Sequence, residues 1–156
     1  RQSFEPIAIP RRWRFMSQIA RNAQDKVAYQ TLLTILESKP VVDQAVIQTL
    51  KRTEHEVELQ LDIPHELVYF QGHFPTEPIL PGVVQVDWAA RLSQTYFGLT
   101  GDFVGLKQLK FTQVIRPGQT VRLTLRHDAQ RQSTHFVYQS DLGGHASGII
   151  AWGNHV

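Results

Sequence analysis

The 156-residue chain contains no cysteine. That absence excludes disulfides, thiolate metal sites and a cysteine nucleophile, and it fits a reducing, cytoplasmic setting. No apolar run approaches the ~20 residues of a membrane span, and no signal-peptide pattern is visible. Strong charge of either sign is also missing. Sixteen Lys and Arg against fourteen Asp and Glu leave a net charge of +2, a mild excess that does not call for nucleic acid but suits a surface for an acidic partner. There is no Gly-rich phosphate loop and no nucleophile elbow. His55-Glu-Val-Glu58 has no second histidine at i+4, and no other spacing implies a metal site. What remains is a chain with 42% hydrophobic and 19% charged residues, enough for a core and too apolar for disorder.

One stretch, Tyr69 to Phe97, organises the rest. Tyr69 to Gly82 holds Gly72, Pro75, Pro78, Pro81 and Gly82, so it reads as a stiff loop. Its one group titrating near neutral pH is His73. Val83 to Phe97 has no Gly or Pro and is mostly apolar on all sides, which predicts a helix buried by its surroundings. Asp87 sits inside that helix. A loop histidine and a helical aspartate held by a rigid turn have the makings of an acid–base pair. A histidine beside an apolar run is more often an ordinary core residue, and an aspartate early in a helix often only complements the dipole. Asp87 lies in the second turn, where the dipole has faded, and a carboxylate on an apolar helix needs a partner or a proton.

Gly72-His-Phe-Pro75, Pro78-Ile-Leu-Pro-Gly-Val83 and Asp87 resemble the signature of the 3-hydroxyacyl-(acyl carrier protein) dehydratases of fatty acid synthesis. Gly105 to Gly118 resembles the strand that follows the helix in that family, and the resemblance runs over roughly residues 41 to 153. It implies an α+β hot-dog fold: a curved antiparallel sheet wrapped around a long central helix. It also implies a lyase that dehydrates a 3-hydroxyacyl thioester to the trans-2-enoyl product, without cofactor or metal. The substrate would ride on an acidic acyl carrier protein or on coenzyme A. The assembly would be a homodimer or higher even oligomer, with active sites at the dimer interface. Acyl chain length and head group stay open.

The resemblance assigns roles residue by residue. His73 would remove the α-proton, Asp87 from the partner subunit would help the hydroxyl leave, and the Gly82 N–H would bind the thioester carbonyl. Free N–H groups at a helix start suit that last role on physical grounds alone. Phe70, Phe74, Leu80, Val83 and Trp88 are candidates to line an acyl pocket, with ordinary core as the competing reading for each. Two departures stand out. Thr76 replaces a common glycine, and Arg91 stands where the family usually has glutamine. Arg91 lies four residues after Asp87, so it is expected to face it and add to substrate binding; that pairing favours an orienting carboxylate over a proton donor. The rivals are a thioesterase on the same fold and a non-catalytic dimerising module that binds acyl chains or carriers.

The flanking pattern agrees with this order. Val46–Leu50 reads as a first strand. Val57, Leu59 and Leu61 alternate with polar residues as a half-buried second strand. After a turn at Gly98 and Gly101, strands are expected at Val104–Val114, Thr120–His127, Thr134–Asp141 and Ala146–Trp152. Residues 1–39 stand apart from this pattern, with a helix from Lys26 to Lys39, and 40–156 form the hot-dog domain. Ile9 to Lys26 resembles the last segment of adenylate-forming acyl ligases. Lys26 would match their lysine, and Asp25 stands where glycine is usual. With Arg1 rather than Met at the start, the chain reads as a processed or partial ligase–dehydratase fusion.

Overall fold

The computed structural model describes residues 21, 26–27, 29–37 and 41–153. The chain divides into two units, Arg1–Pro40 and Val41–Val156. The first holds helix α1, Tyr29–Glu37; most of the ligase-like segment from Ile9 to Lys26 lies outside the described residues.

The second unit builds one six-stranded antiparallel sheet around one helix. Its elements are β1 (Val46–Arg52), β2 (Glu56–Asp62), α2 (Gly82–Phe97), β3 (Asp102–Phe111), β4 (Thr120–Asp128), β5 (Ser133–Ser140) and β6 (Gly143–Gly153). The strand order is β1-β2-β4-β5-β6-β3, so β1 and β3 are the two edges. This is the architecture the resemblance implies.

Alternation fixes which face is inside. Val57, Leu59 and Leu61 on β2 and Val121, Leu123 and Leu125 on β4 are all enclosed, packed with Phe136, Tyr138, Ile150 and the inner face of α2. Arg122 and Arg126 point out to water, and Arg126 pairs with Glu56 across the β2–β4 ladder. Gly98 ends α2 in the left-handed conformation (φ 64°), its N–H on Gln94 O, as a helix-terminating glycine does.

Beyond shifts of a few residues at other element ends, three details differ from the sequence-based expectations. Val68–Phe70 forms a short 3-10 turn, so the loop proper begins at Gln71. Strand β3 stops at Phe111 rather than Val114, because the Thr112 and Gln113 N–H groups turn onto His145 O. Helix α2 is also not enclosed all round. Val83, Asp87, Arg91 and Thr95 form an exposed stripe at i, i+4 spacing, because the sheet curls over only the opposite face.

Candidate active site

His73 is held by its loop. The loop turns at Gly72, where φ is 82°, a conformation that favours glycine. Ile79 N–H donates to His73 O (2.9 Å), and Phe74 N–H donates to Glu77 O (3.2 Å). The loop leaves this turn through Leu80, whose N–H donates to Ile115 O at 2.8 Å. Arg116 reaches Glu77 at 3.7 Å from the same connection. The half-buried His73 ring stacks on Phe74 and sets Nδ1 3.4 Å from Ile79 O. A carbonyl only accepts, so this contact asks Nδ1 to donate, which in the neutral ring leaves Nε2 as the acceptor.

The loop delivers the start of α2. Pro81 is the N-cap and offers no side-chain cap. Val84 and Gln85 N–H groups turn back to Pro81 O, while the Gly82 and Val83 N–H groups have no acceptor among the described residues. Two donors and the positive end of the helix dipole are thus left open for an oxyanion.

Asp87 lies one turn further on, on the exposed stripe. Arg91 does face it: the guanidinium sits 2.6 Å from its carboxylate, with both side chains about half exposed. No hydrogen bond or ion pair joins His73 to Asp87 within one chain among the described residues. Phe70, Leu80 and Trp88 belong to the buried core, whereas Phe74 and Val83 are exposed. Trp88, Arg91 and Leu92 also line a groove of 210 Å³ against Ala45 and Ile47.

Several residues that the sequence did not single out hold this arrangement. Gln85 is buried, and its amide donates to Leu80 O at 3.1 Å. Its backbone carbonyl accepts the hydroxyl of fully buried Tyr138 at 2.8 Å. His145, also fully buried, sets Nδ1 3.2 Å from Val114 O and Nε2 2.7 Å from Ser140 Oγ. With its imidazole sealed from solvent, His145 anchors the β3–β4 connection through these two contacts. A polar Gln85 inside an apolar helical run was the one signal in the sequence, of the same kind as Asp87.

The family model for the ApeI dehydratase, described as ApeI-like, matches residues 49–149. The chain belongs to the ApeI-like dehydratase family. Among solved structures, the dehydratase heterocomplex ApeI:P from Xenorhabdus doucetiae aligns with a TM-score of 0.68 and 29% identity, over 71% of this chain and 99% of that one. An uncharacterised protein from Erwinia carotovora aligns with a TM-score of 0.60 and 35% identity, over 71% and 94%. The 3-hydroxyacyl-[acyl-carrier-protein] dehydratase FabZ of Roseiflexus sp. strain RS-1 is 37% identical over 71 residues, 41% of this chain. The match spans about half the length of that curated relative. The segment from Gly72 to Asp87 lies inside the ApeI-like match.

Proposed function

We propose that this chain dehydrates a 3-hydroxyacyl thioester to the trans-2-enoyl thioester and water. One observation carries the reading: His73, its Nδ1 set against Ile79 O, sits on the loop that ends at the uncapped start of α2. In the reaction, Nε2 takes the α-proton while charge gathers on the thioester carbonyl oxygen. The Gly82 and Val83 N–H groups stabilise that charge. The C3–O bond then breaks, the electron pair left at C2 forms the double bond, and the departing hydroxyl takes a proton and leaves as water. Asp87, held by Arg91, orients that hydroxyl as an acceptor. The proton that Nε2 gained goes to the leaving oxygen, so the enzyme ends as it began.

A single chain does not close this site, and the surface supports a second copy. Edge strand β3 exposes Phe103, Val104, Leu109 and Phe111, and Val83 heads the stripe that carries Asp87. An apolar, unpaired edge of this kind calls for cover. In the proposed homodimer, His73 of one protomer meets Asp87 of its partner; the Xenorhabdus relative is itself a heterocomplex. An acidic carrier protein or coenzyme A would present the substrate, in the cytoplasm. Residues 1–25 we read as the tail of a fused acyl ligase, a reading that tight ATP binding by this chain would overturn.

The test is mass spectrometry of 3-hydroxyacyl carrier and coenzyme A substrates of several lengths. Wild type should remove water and release no free thiol, and His73→Ala should remove no water. Thiol release would make the protein a thioesterase. Dehydration that survives His73→Ala would refute the assigned base.

A further inference from the structure

Glycine at position 82 is not required by the backbone. The only positive-φ glycines among the described residues are Gly72, Gly98, Gly118 and Gly143, so Gly82 has a conformation open to any residue. Space is the constraint. A Cβ built on Gly82 would lie 2.6 Å from Cζ and 2.8 Å from Cε1 of Phe111, far inside carbon–carbon contact distance. The Cζ end of the Phe111 ring therefore packs against the first residue of α2, the residue that carries one of the two N–H groups without an acceptor.

Phe111 is fixed there by the strand end. It is the last residue of β3 and pairs with Ala146 on β6. The next residue, Thr112, donates its N–H to His145 O at 2.8 Å and its hydroxyl to Gly144 O at 2.6 Å. His145 is in turn locked by Val114 O and Ser140. The ring is half exposed in the single chain, so burial in that chain's own core does not explain its place. An aromatic ring cannot accept strongly from the open N–H groups, but it keeps water from one flank of them. An oxygen must then arrive from the other flank, where the donors act in a drier, more directional setting.

We propose that Phe111 is a positioning residue for the reaction read above: its ring sets the direction from which the thioester carbonyl reaches the Gly82 and Val83 N–H groups. The ring, and not the substrate, forbids a side chain at position 82. The proposal rests on the dehydratase reading, and the experiment separates the two.

Four proteins are compared on one 3-hydroxyacyl thioester: wild type, Gly82→Ala, Phe111→Ala and the double variant. Phe111→Leu replaces Phe111→Ala if the latter does not fold. Gly82→Ala should cut kcat/KM at least about tenfold, as the displaced ring spoils a near-attack geometry. The double variant should rise to about the level of Phe111→Ala, because the methyl then has room; such coupling is expected of residues in contact. Phe111→Ala alone should lower kcat and leave KM nearly unchanged, a split that a purely structural ring would not produce. An active wild type whose double variant is no better than Gly82→Ala overturns the proposal, as does Phe111→Ala with unaltered kcat. A wild type that dehydrates no 3-hydroxyacyl thioester overturns the functional reading itself. In that event non-additive melting temperatures of the four proteins would still report the packing of the ring on Gly82.

Discussion

Removing one oxygen atom, by Tyr138→Phe, tests how α2 is tied to the sheet. The Tyr138 hydroxyl is fully buried and donates to Gln85 O at 2.8 Å. The carbonyl keeps its helical N–H partner after the change, so only the net value of one neutral hydrogen bond is lost, about 1 kcal/mol at neutral pH. High pH should reverse the order. Burial, and secondly the Asp87 carboxylate, push the Tyr138 phenol well above its ordinary value. The folded tyrosine then stays protonated while the unfolded one titrates near pH ~10. A group whose folded pKa is raised contributes fully below its unfolded pKa, and that contribution is lost as pH rises past it. The wild type should therefore lose about 1.36 kcal/mol per pH unit above pH ~10 from this residue alone, and the phenylalanine variant should lose none of it. The two stability curves should cross near pH ~10.6, where the titration loss matches the hydrogen bond. Urea unfolding followed by far-ultraviolet circular dichroism across pH 7 to 11 measures both effects; the other tyrosines and lysines cancel in the difference. A variant as stable as wild type at pH 7, or a difference that stays constant to pH 11, would refute this account of the tether.

Burial pushes the His127 imidazole below its ordinary value, offset only in part by Asp128; the ring stacks on Phe97 at 5.4 Å and contacts Thr134 Oγ1 at 3.1 Å. Its neutral form is the one the fold holds, so its contribution is full above the ordinary histidine value of ~6.5 and is lost as pH falls below it. His127→Gln should flatten the acid-side fall in melting temperature over that window. Arg91→Gln removes a half-exposed i,i+4 ion pair, so the melting temperature should hardly change, in line with ~0.5 kcal/mol for such pairs. Dehydration should nonetheless slow several-fold in kcat, because the Asp87 carboxylate is no longer fixed; an unchanged kcat would remove Arg91 from the site.

Local signals carried much of this structure. The period-two alternation of Val57, Leu59 and Leu61 placed β2 correctly, and Gly98 marked the end of α2, because each depends on a few neighbouring residues. The pairing of Arg91 with Asp87 was legible for the same reason, since helical spacing alone brings i and i+4 together. Other features depend on contacts between distant parts of the chain. Tyr138 meets Gln85 across 53 residues, and nothing in either neighbourhood announces it. Strand β3 carries a bulge near Gln108, whose φ is 52°, and ends where the His145 carbonyl takes the N–H groups of Thr112 and Gln113. Composition made α2 look apolar on every side, yet its stripe from Val83 to Thr95 is open, because exposure depends on how far the sheet curls. Phe70, Leu80 and Trp88 had competing readings as pocket and as core, and all three are packed in the core.

The central claim is that the base and the carboxylate of each site come from different chains. The direct test mixes His73→Ala and Asp87→Asn proteins, each inactive alone, under conditions where subunits exchange and native mass spectrometry confirms mixed dimers. Every mixed dimer would then hold one site with an intact His73 facing an intact Asp87. Random exchange should restore about a quarter of wild-type activity, since half the dimers are mixed and half their sites are whole. Mixed dimers that remain inactive would place both groups on one chain and contradict the account.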